Sequence, residues 1–221
     1  MTSPHLLPAA WMQTTSWDFW ADYDDGTWEP ETGAIIREHV TPGSTYVDIG
    51  AWIGPTVLWA APVAGRIIAV EPDPVAAELL IKNLGEFDNV EIIVGAIAAH
   101  TGTSELAPHT EGFGSSQSRL VEGVNSASWD LSKKVVVYCW TLPDLFDVCE
   151  LEDVSLVKMD IEGGEVDVLP LVAPFLAELG IPLLVSLHQD WWSNPLDLAC
   201  FEVFGEVRGD LTGNSAVLAI P

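Results

Sequence analysis

Short apolar runs alternate with helix-like stretches along most of this chain, and that rhythm narrows the fold more than any other feature. Tyr46–Ile49, Arg66–Glu71, Val90–Val94, Val154–Met159 and Leu183–Leu187 read as buried strands. Between them, Pro55–Val63, Asp73–Leu84 with Pro74 in its first turn, and Gly164–Leu179 read as helices. Strands that alternate with helices are joined by crossovers, and these build a mainly parallel sheet covered on both faces. Phe201–Val207 and Ala216–Ile220, separated by a Gly/Asp/Asn turn, suit a closing antiparallel pair. The expectation is an α/β fold around a seven-stranded sheet.

The flanking segments fit around that frame. Residues 1–44 are rich in acids and aromatics (Trp11, Trp17, Phe19, Trp20, Tyr23, Trp28) and read as an N-terminal helical cap on a main domain spanning 45–221. The last cap helix should begin near Glu29, carry Ile35, Ile36 and Val40 inward, and stop at Pro42-Gly43. Residues from about 101 to 134 are polar and Gly/Ser-rich, and suggest an irregular insertion with a short hairpin that uses the β-like run Lys133–Cys139. Val168–Leu187 holds one charge, Glu178, but Pro170, Pro174, Gly180 and Pro182 argue for a helix and a buried strand rather than a membrane span. The opening MTSPHLLPAAWMQ lacks the basic and long apolar regions of a signal peptide. Cys139, Cys149 and Cys200 are widely spaced without a CxxC pair, which suits reduced core residues. A cytoplasmic protein is expected.

The charge restricts partners. With 33 acidic and 8 basic residues the formal net charge is −25, while 48% hydrophobic content excludes an acidic disordered tail. Few cations are available to neutralise phosphates, so neither nucleic acid nor an anionic membrane is an expected partner.

Open parallel sheets bind ligands beyond the carboxyl ends of their strands. There the sequence places VDIGAWIG, Val47 to Gly54, a turn in which Gly50 permits close backbone approach and Gly54 starts a helix. The next strand ends in Glu71, an acid placed to accept hydrogen bonds from ribose hydroxyls. A dinucleotide turn would read G-x-G-x-x-G, whereas here Gly50 and Gly54 enclose Ala51, Trp52 and Ile53, and the indole would crowd a pyrophosphate. S-adenosylmethionine carries no phosphate, and its sulfonium and ammonium suit the carboxylates Asp48, Glu71, Asp160 and Glu162.

The combination of VDIGAWIG, VEPDP (Val70–Pro74) and KMDIEGGE (Lys158–Glu165) resembles the FkbM family of class I S-adenosylmethionine-dependent methyltransferases. The likeness extends to GTWEPET (Gly26–Thr32), GAIAAHTG (Gly95–Gly102), Gly114–Ser118, SLH (Ser186–His188) and the final AVLAIP. Trp52 stands where many members carry Asn, and the stretch after His188 is short. The resemblance implies a Rossmann-like fold and S-adenosylmethionine as cofactor. It implies that Asp48, Gly50, Ala51, Trp52 and Gly54 form the cofactor turn, that Glu71 and Pro72 adjoin the ribose, and that Asp73, Gly95 and Ala96 border the adenine. Asp160 would lie beside the sulfonium and the incoming acceptor, and Glu162 would be a further cofactor contact.

Methyl transfer is an in-line displacement, so the protein must chiefly align nucleophile, methyl and sulfur. A hydroxyl acceptor also loses a proton, for which a placed base contributes roughly 10²–10⁴-fold. His188 is the expected general base, with Asp160 orienting it or the acceptor. Trp28, Glu29, Ser115, Ser116, Asp190 and Trp191 are the expected substrate contacts, since aromatics beside hydroxyls suit a sugar or natural product. Asp160, Glu162, His188 and Asp190 could gather at one rim, but no ligand spacing compels a metal, and none is assigned. The favoured activity is O-methylation of a small molecule or glycan. N- or carboxyl methylation, an NAD-dependent oxidoreductase and a non-catalytic cofactor-binding module are the alternatives.

Overall fold

The computed structural model describes residues 19–85, 87–110, 112–121, 129–191 and 196–221; Trp11, Trp17, Trp192 and the side chain of Trp191 lie outside the described residues. Two helices, α1 (Phe19–Asp25) and α2 (Pro30–His39), precede the alternation β1 (Thr45–Ile49), α3 (Pro55–Ala60), β2 (Arg66–Glu71), α4 (Pro74–Asn83) and β3 (Val90–Val94). Strands β4 (Ala96–Ile97), β5 (Gly102–Ala107), β6 (Arg119–Leu120) and β7 (Val135–Trp140) follow, then α5 (Leu142–Val148). The chain closes with β8 (Val154–Met159), α6 (Glu165–Leu179), β9 (Leu183–Ser186), β10 (Glu206–Arg208) and β11 (Ala216–Ile220).

The main sheet has seven strands in the order β10-β11-β9-β8-β1-β2-β3. The five strands from β9 to β3 run parallel, and β11 pairs antiparallel with both β9 and β10. This is the mainly parallel, Rossmann-like arrangement the sequence predicts. Because side chains alternate across a strand, each central strand serves two cores. Val47, Ile49, Ile68, Val70, Val157 and Met159 pack with α5 and α6, while Tyr46, Ile67, Ala69 and Leu156 pack with α1 to α4. Ile36 and Val40 are buried as expected, and Ile35 is half-buried. No helix among the described residues is long and apolar enough to cross a membrane.

Three expectations require correction. Region 101–134 is more regular than an irregular insertion, for β4-β7-β5-β6 form a second sheet in which Gly102–Leu106 pairs antiparallel with Val135–Cys139. One face of this sheet is open, leaving Val136 72% and Tyr138 45% exposed, so the polar strand GTSELA shows no apolar run to mark it. The predicted strand Phe201–Val207 starts only at Glu206: Phe201 and Phe204 are buried, but Leu198–Phe201 is a 3₁₀ turn. Helix α3 ends at Ala60, three residues before Val63, with Pro62 just after its C-cap Ala61.

Candidate active site

The turn after β1 is shaped by its neighbours. Gly50, Trp52 and Gly54 hold φ of 77°, 50° and 96°. A Cβ on Gly50 would stand 1.8 Å from the Asp160 carbonyl oxygen, and the Asp160 amide donates to the Ile49 carbonyl at 2.9 Å. Glycine is therefore required where the ends of β1 and β8 touch, which is a different reason from the ligand approach inferred from sequence. Gly54 caps α3 against Leu80, and a Cβ on Gly95 would strike the Trp140 ring. Neither Gly54 nor Asp48 faces the open site.

Glu71 ends β2 and is buried. Its Oε2 accepts from the Trp52 amide and its Oε1 from the Asp73 amide, each at 2.8 Å. Burial pushes its pKa up to about 8, against the lowering effect of these two donors. Asp73 caps α4, with Oδ1 accepting from the Val75 and Ala76 amides. Its Oδ2 accepts from the Gly114 amide at 2.8 Å and the Ser118 hydroxyl at 2.6 Å. Trp52 Nε1 donates to the Gly114 carbonyl, so the loop carrying Ser115 and Ser116 is pinned from two sides. The Asp73 carboxylate acts as a tether and does not line the cavity.

Beneath the turn lies a buried ion pair. Asp48 and Lys158 are in-register partners on β1 and β8, both facing the α1–α4 side. Asp48 Oδ2 accepts from Thr56 at 2.5 Å and from Tyr46 at 3.2 Å, and Oδ1 lies 3.3 Å from Lys158 Nζ. Lys158 also stands 3.7 Å from Asp160 Oδ2. Burial disfavours its ammonium, yet the charges of Asp48, Asp160 and Glu29 outweigh burial and raise the pKa above the ordinary lysine value. Sequence reasoning assigned no role to Tyr46, Thr56 or Lys158. A lysine inside the apolar run VSLVKM was the available signal.

The other end of the site is an acid cluster around His188, just beyond β9. Glu165 Oε1 accepts from the Ile161 and Gly163 amides and from His188 Nδ1 at 3.1 Å. The ring then presents Nε2 to Asp160 Oδ1 at 3.5 Å and Glu162 Oε2 at 3.6 Å. Glu162 has a φ of 56°, an uncommon conformation that recurs beside functional sites. Burial pulls the His188 pKa down, but the Glu165 hydrogen bond and the neighbouring carboxylates lift it to about 9. This cluster therefore favours the protonated imidazole, whereas the general base expected from sequence acts through a free lone pair.

These elements enclose a cavity of about 470 Å³. It is lined by Trp28, Glu29, Gly50, Ala51, Trp52, Glu71, Pro72, Gly95, Ala96, Ser115, Ser116, Asp160, Glu162 and His188, which were singled out from sequence. Lys158, Arg119 and the apolar strip Ile97, Ala98 and Leu106 also line it. A second, more open cavity of about 480 Å³ shares Glu29, Asp160 and His188 with the first and continues past Thr32, Ser186 and Asn214. Asp190 lines neither cavity; it is exposed and accepts from Asn214 Nδ2 at 2.8 Å.

The fold and this strand-end site define a Rossmann-like α/β protein with a ligand-sized cavity beyond the carboxyl ends of its parallel strands. A family model described as the methyltransferase FkbM domain matches residues 48–188, and the chain belongs to that family. Among solved structures, the methyltransferase FkbM from Methylobacillus flagellatus KT is similar at 15% identity with a TM-score of 0.51. The match covers 96% of this chain and 57% of that one, so this chain spans little more than half its length. An rRNA methylase from Streptococcus thermophilus matches at 12% identity and TM-score 0.48, over 86% of this chain and 94% of that one. An RNA methyltransferase from Salinibacter ruber in complex with S-adenosyl-L-homocysteine matches at 17% and 0.43, over 86% and 88%. No curated protein matches in sequence.

Proposed function

We propose that this protein transfers the methyl group of S-adenosylmethionine to a hydroxyl of a small neutral molecule, a sugar or a natural product. One cavity that joins Glu71 to the Asp160–Glu162–His188 cluster carries this reading, because the two ends suit the two ends of such a donor. Family membership supports the donor's identity. The residues present fit an adenosine-bearing cation. Glu71 adjoins the ribose hydroxyls, the strip from Ala96 to Ala98 and Leu106 offers an apolar wall to a purine, and the acids around Asp160 face a sulfonium.

When bound, the donor supplies a methyl carbon that passes to the acceptor oxygen as its sulfur–carbon bond breaks. The protein's part is alignment and handling of one proton. The acceptor enters from the second cavity, which meets the first at Glu29, Asp160 and His188. There His188 orients the hydroxyl and Asp160, at 3.5 Å from the His188 Nε2, is placed to take the proton. Trp28 and Ser116 line the first cavity. The charge of −25 turns polyanions away, so neither nucleic acid nor an anionic membrane is a partner in this reading.

Calorimetry with S-adenosylhomocysteine and with NAD tests the donor assignment, and binding of NAD alone would overturn it. A screen of hydroxylated acceptors with labelled donor and mass detection tests the reaction. Label appearing only on amines or carboxylates would redirect the acceptor class.

A further inference from the structure

We infer that Asp160, Glu162 and His188 form a binding site for one first-row divalent cation such as Mn²⁺, set where the two cavities meet. The three residues offer Oδ1, Oε2 and Nε2 within 4.8 Å of one another, the one such grouping among the described residues. A cation bonded at about 2.1 Å holds neighbouring ligands about 3.0 Å apart in an octahedron and about 3.4 Å apart in a tetrahedron. The observed separations from Nε2, 3.5 and 3.6 Å, need a contraction of a few tenths of an ångström. As hydrogen bonds the same contacts are too long.

A second observation points to a ligand. Glu162 is only 9% exposed, yet its Oε2 has no hydrogen-bond partner, and the same holds for Asp160 Oδ1. A buried carboxylate oxygen without a donor is costly, and a cation between the two removes that cost. Both atoms are shielded from solvent, so a ligand filling the open cavity would not reach them. An ion seated among them would.

The supporting shell is also in place. Metal-bound histidines usually donate their second ring N–H to a carboxylate or carbonyl, which fixes the tautomer and aims the free nitrogen. Glu165 provides that acceptor for His188 Nδ1, and its position is fixed by the Ile161 and Gly163 amides. The left-handed turn at Glu162 and Gly163, with φ of 56° and 91°, aims the second carboxylate at the same point. An imidazole with two carboxylates suits a borderline divalent ion. The second cavity opens at this point, so a hydroxyl from that side would complete the coordination and be acidified by it. This last role rests on the proposed methyl transfer; the site itself does not.

The test is titration of the chelator-treated full chain with MnCl₂, followed by loss of the free-ion electron paramagnetic resonance signal. One saturable equivalent is expected, weakened at least tenfold in Glu162→Gln and in Asp160→Asn. Both variants must retain the thermal unfolding transition of the parent, and Glu165→Gln serves as a milder third probe. Equal binding by parent and variants would assign the ion to the acidic surface and overturn the site. Methyl transfer at full rate in EDTA would overturn the catalytic role and leave the methyltransferase reading intact. Saturable Mn²⁺ binding without S-adenosylhomocysteine binding would do the reverse.

Discussion

The two ends of the main cavity handle their acids in opposite ways. At the β2 end each oxygen of Glu71 receives a backbone amide, from Trp52 and from Asp73. At the β8 end Asp160 Oδ1 and Glu162 Oε2 receive none. A satisfied carboxylate is a fixed part of the scaffold, whose remaining lone pairs can serve a ligand's hydroxyls without any rearrangement. An unsatisfied pair that faces only the His188 ring, at 3.5 and 3.6 Å, is a site held ready for further charge, because a proton or a cation relieves it. In the proposed function the first end serves recognition and the second chemistry.

The residue that joins the two ends should produce the largest effect when changed. Gly50→Ala places a methyl group against the Asp160 carbonyl at a φ of 77°, so the β1 turn and the β8 end must part. A loss of about 3–5 kcal/mol is expected in urea unfolding, at the severe end for one methyl group. A loss below about 1 kcal/mol would mean that the two ends are not mechanically coupled.

His188→Ala comes next and divides the two ends functionally. Turnover should fall about 10²-fold or more, while the dissociation constant of S-adenosylhomocysteine stays within about threefold. Comparable losses in both would place His188 in donor binding and erase the contrast.

The contrast also explains what the sequence made legible. Strand ends are visible as apolar runs that stop at an acid, so Glu71, Asp160 and the parallel core around Ile68 and Val157 follow from local pattern. Pairing across about 30 residues is not a local property, which is why the polar strand β5 reads as part of an irregular insertion although β7 is visible as a β-like run. Asp73 shows the same limit within the site. Its spacing before Pro74 announces a helix cap, but its second task, holding Gly114 and Ser118, depends on a contact 41 residues away. Gly50 reads as a ligand turn because the Asp160 carbonyl that crowds it lies just past the end of β8, more than a hundred residues later. Lys158 is a lysine in an apolar run, and its meaning comes only from its register opposite Asp48.

Glu71→Gln should act at the recognition end alone. The amide keeps the volume but turns an N–H₂ toward a backbone amide that needs an acceptor, and it weakens the ribose contact. Affinity for S-adenosylhomocysteine should fall about 10–100-fold, the range of charged hydrogen bonds worth about 1.5–3 kcal/mol. Mn²⁺ binding at the other end should be unchanged, and a matching loss there would merge the two ends into one unit.

The smallest effect is a pH dependence that belongs to Glu71. Its pKa of about 8 lies above the ordinary 4.5 because burial outweighs the two amide donors. In the ligand-free chain the acid is therefore mostly protonated at pH 7. The stability it contributes is full below about pH 4.5 and is lost as pH rises through 8. Ribose hydroxyls favour the carboxylate, so donor binding runs the other way and releases a proton. About one-tenth of the chains carry the carboxylate at pH 7 and about nine-tenths at pH 9, so affinity for S-adenosylhomocysteine should rise about tenfold between them. Calorimetry in buffers of different ionisation enthalpy reads both the slope and the released proton. The ligand's own amine titrates identically with every variant, so the difference between parent and Glu71→Gln isolates this acid. An equal slope in both would show that Glu71 is already ionised without ligand, which would mean that its two amide donors outweigh burial.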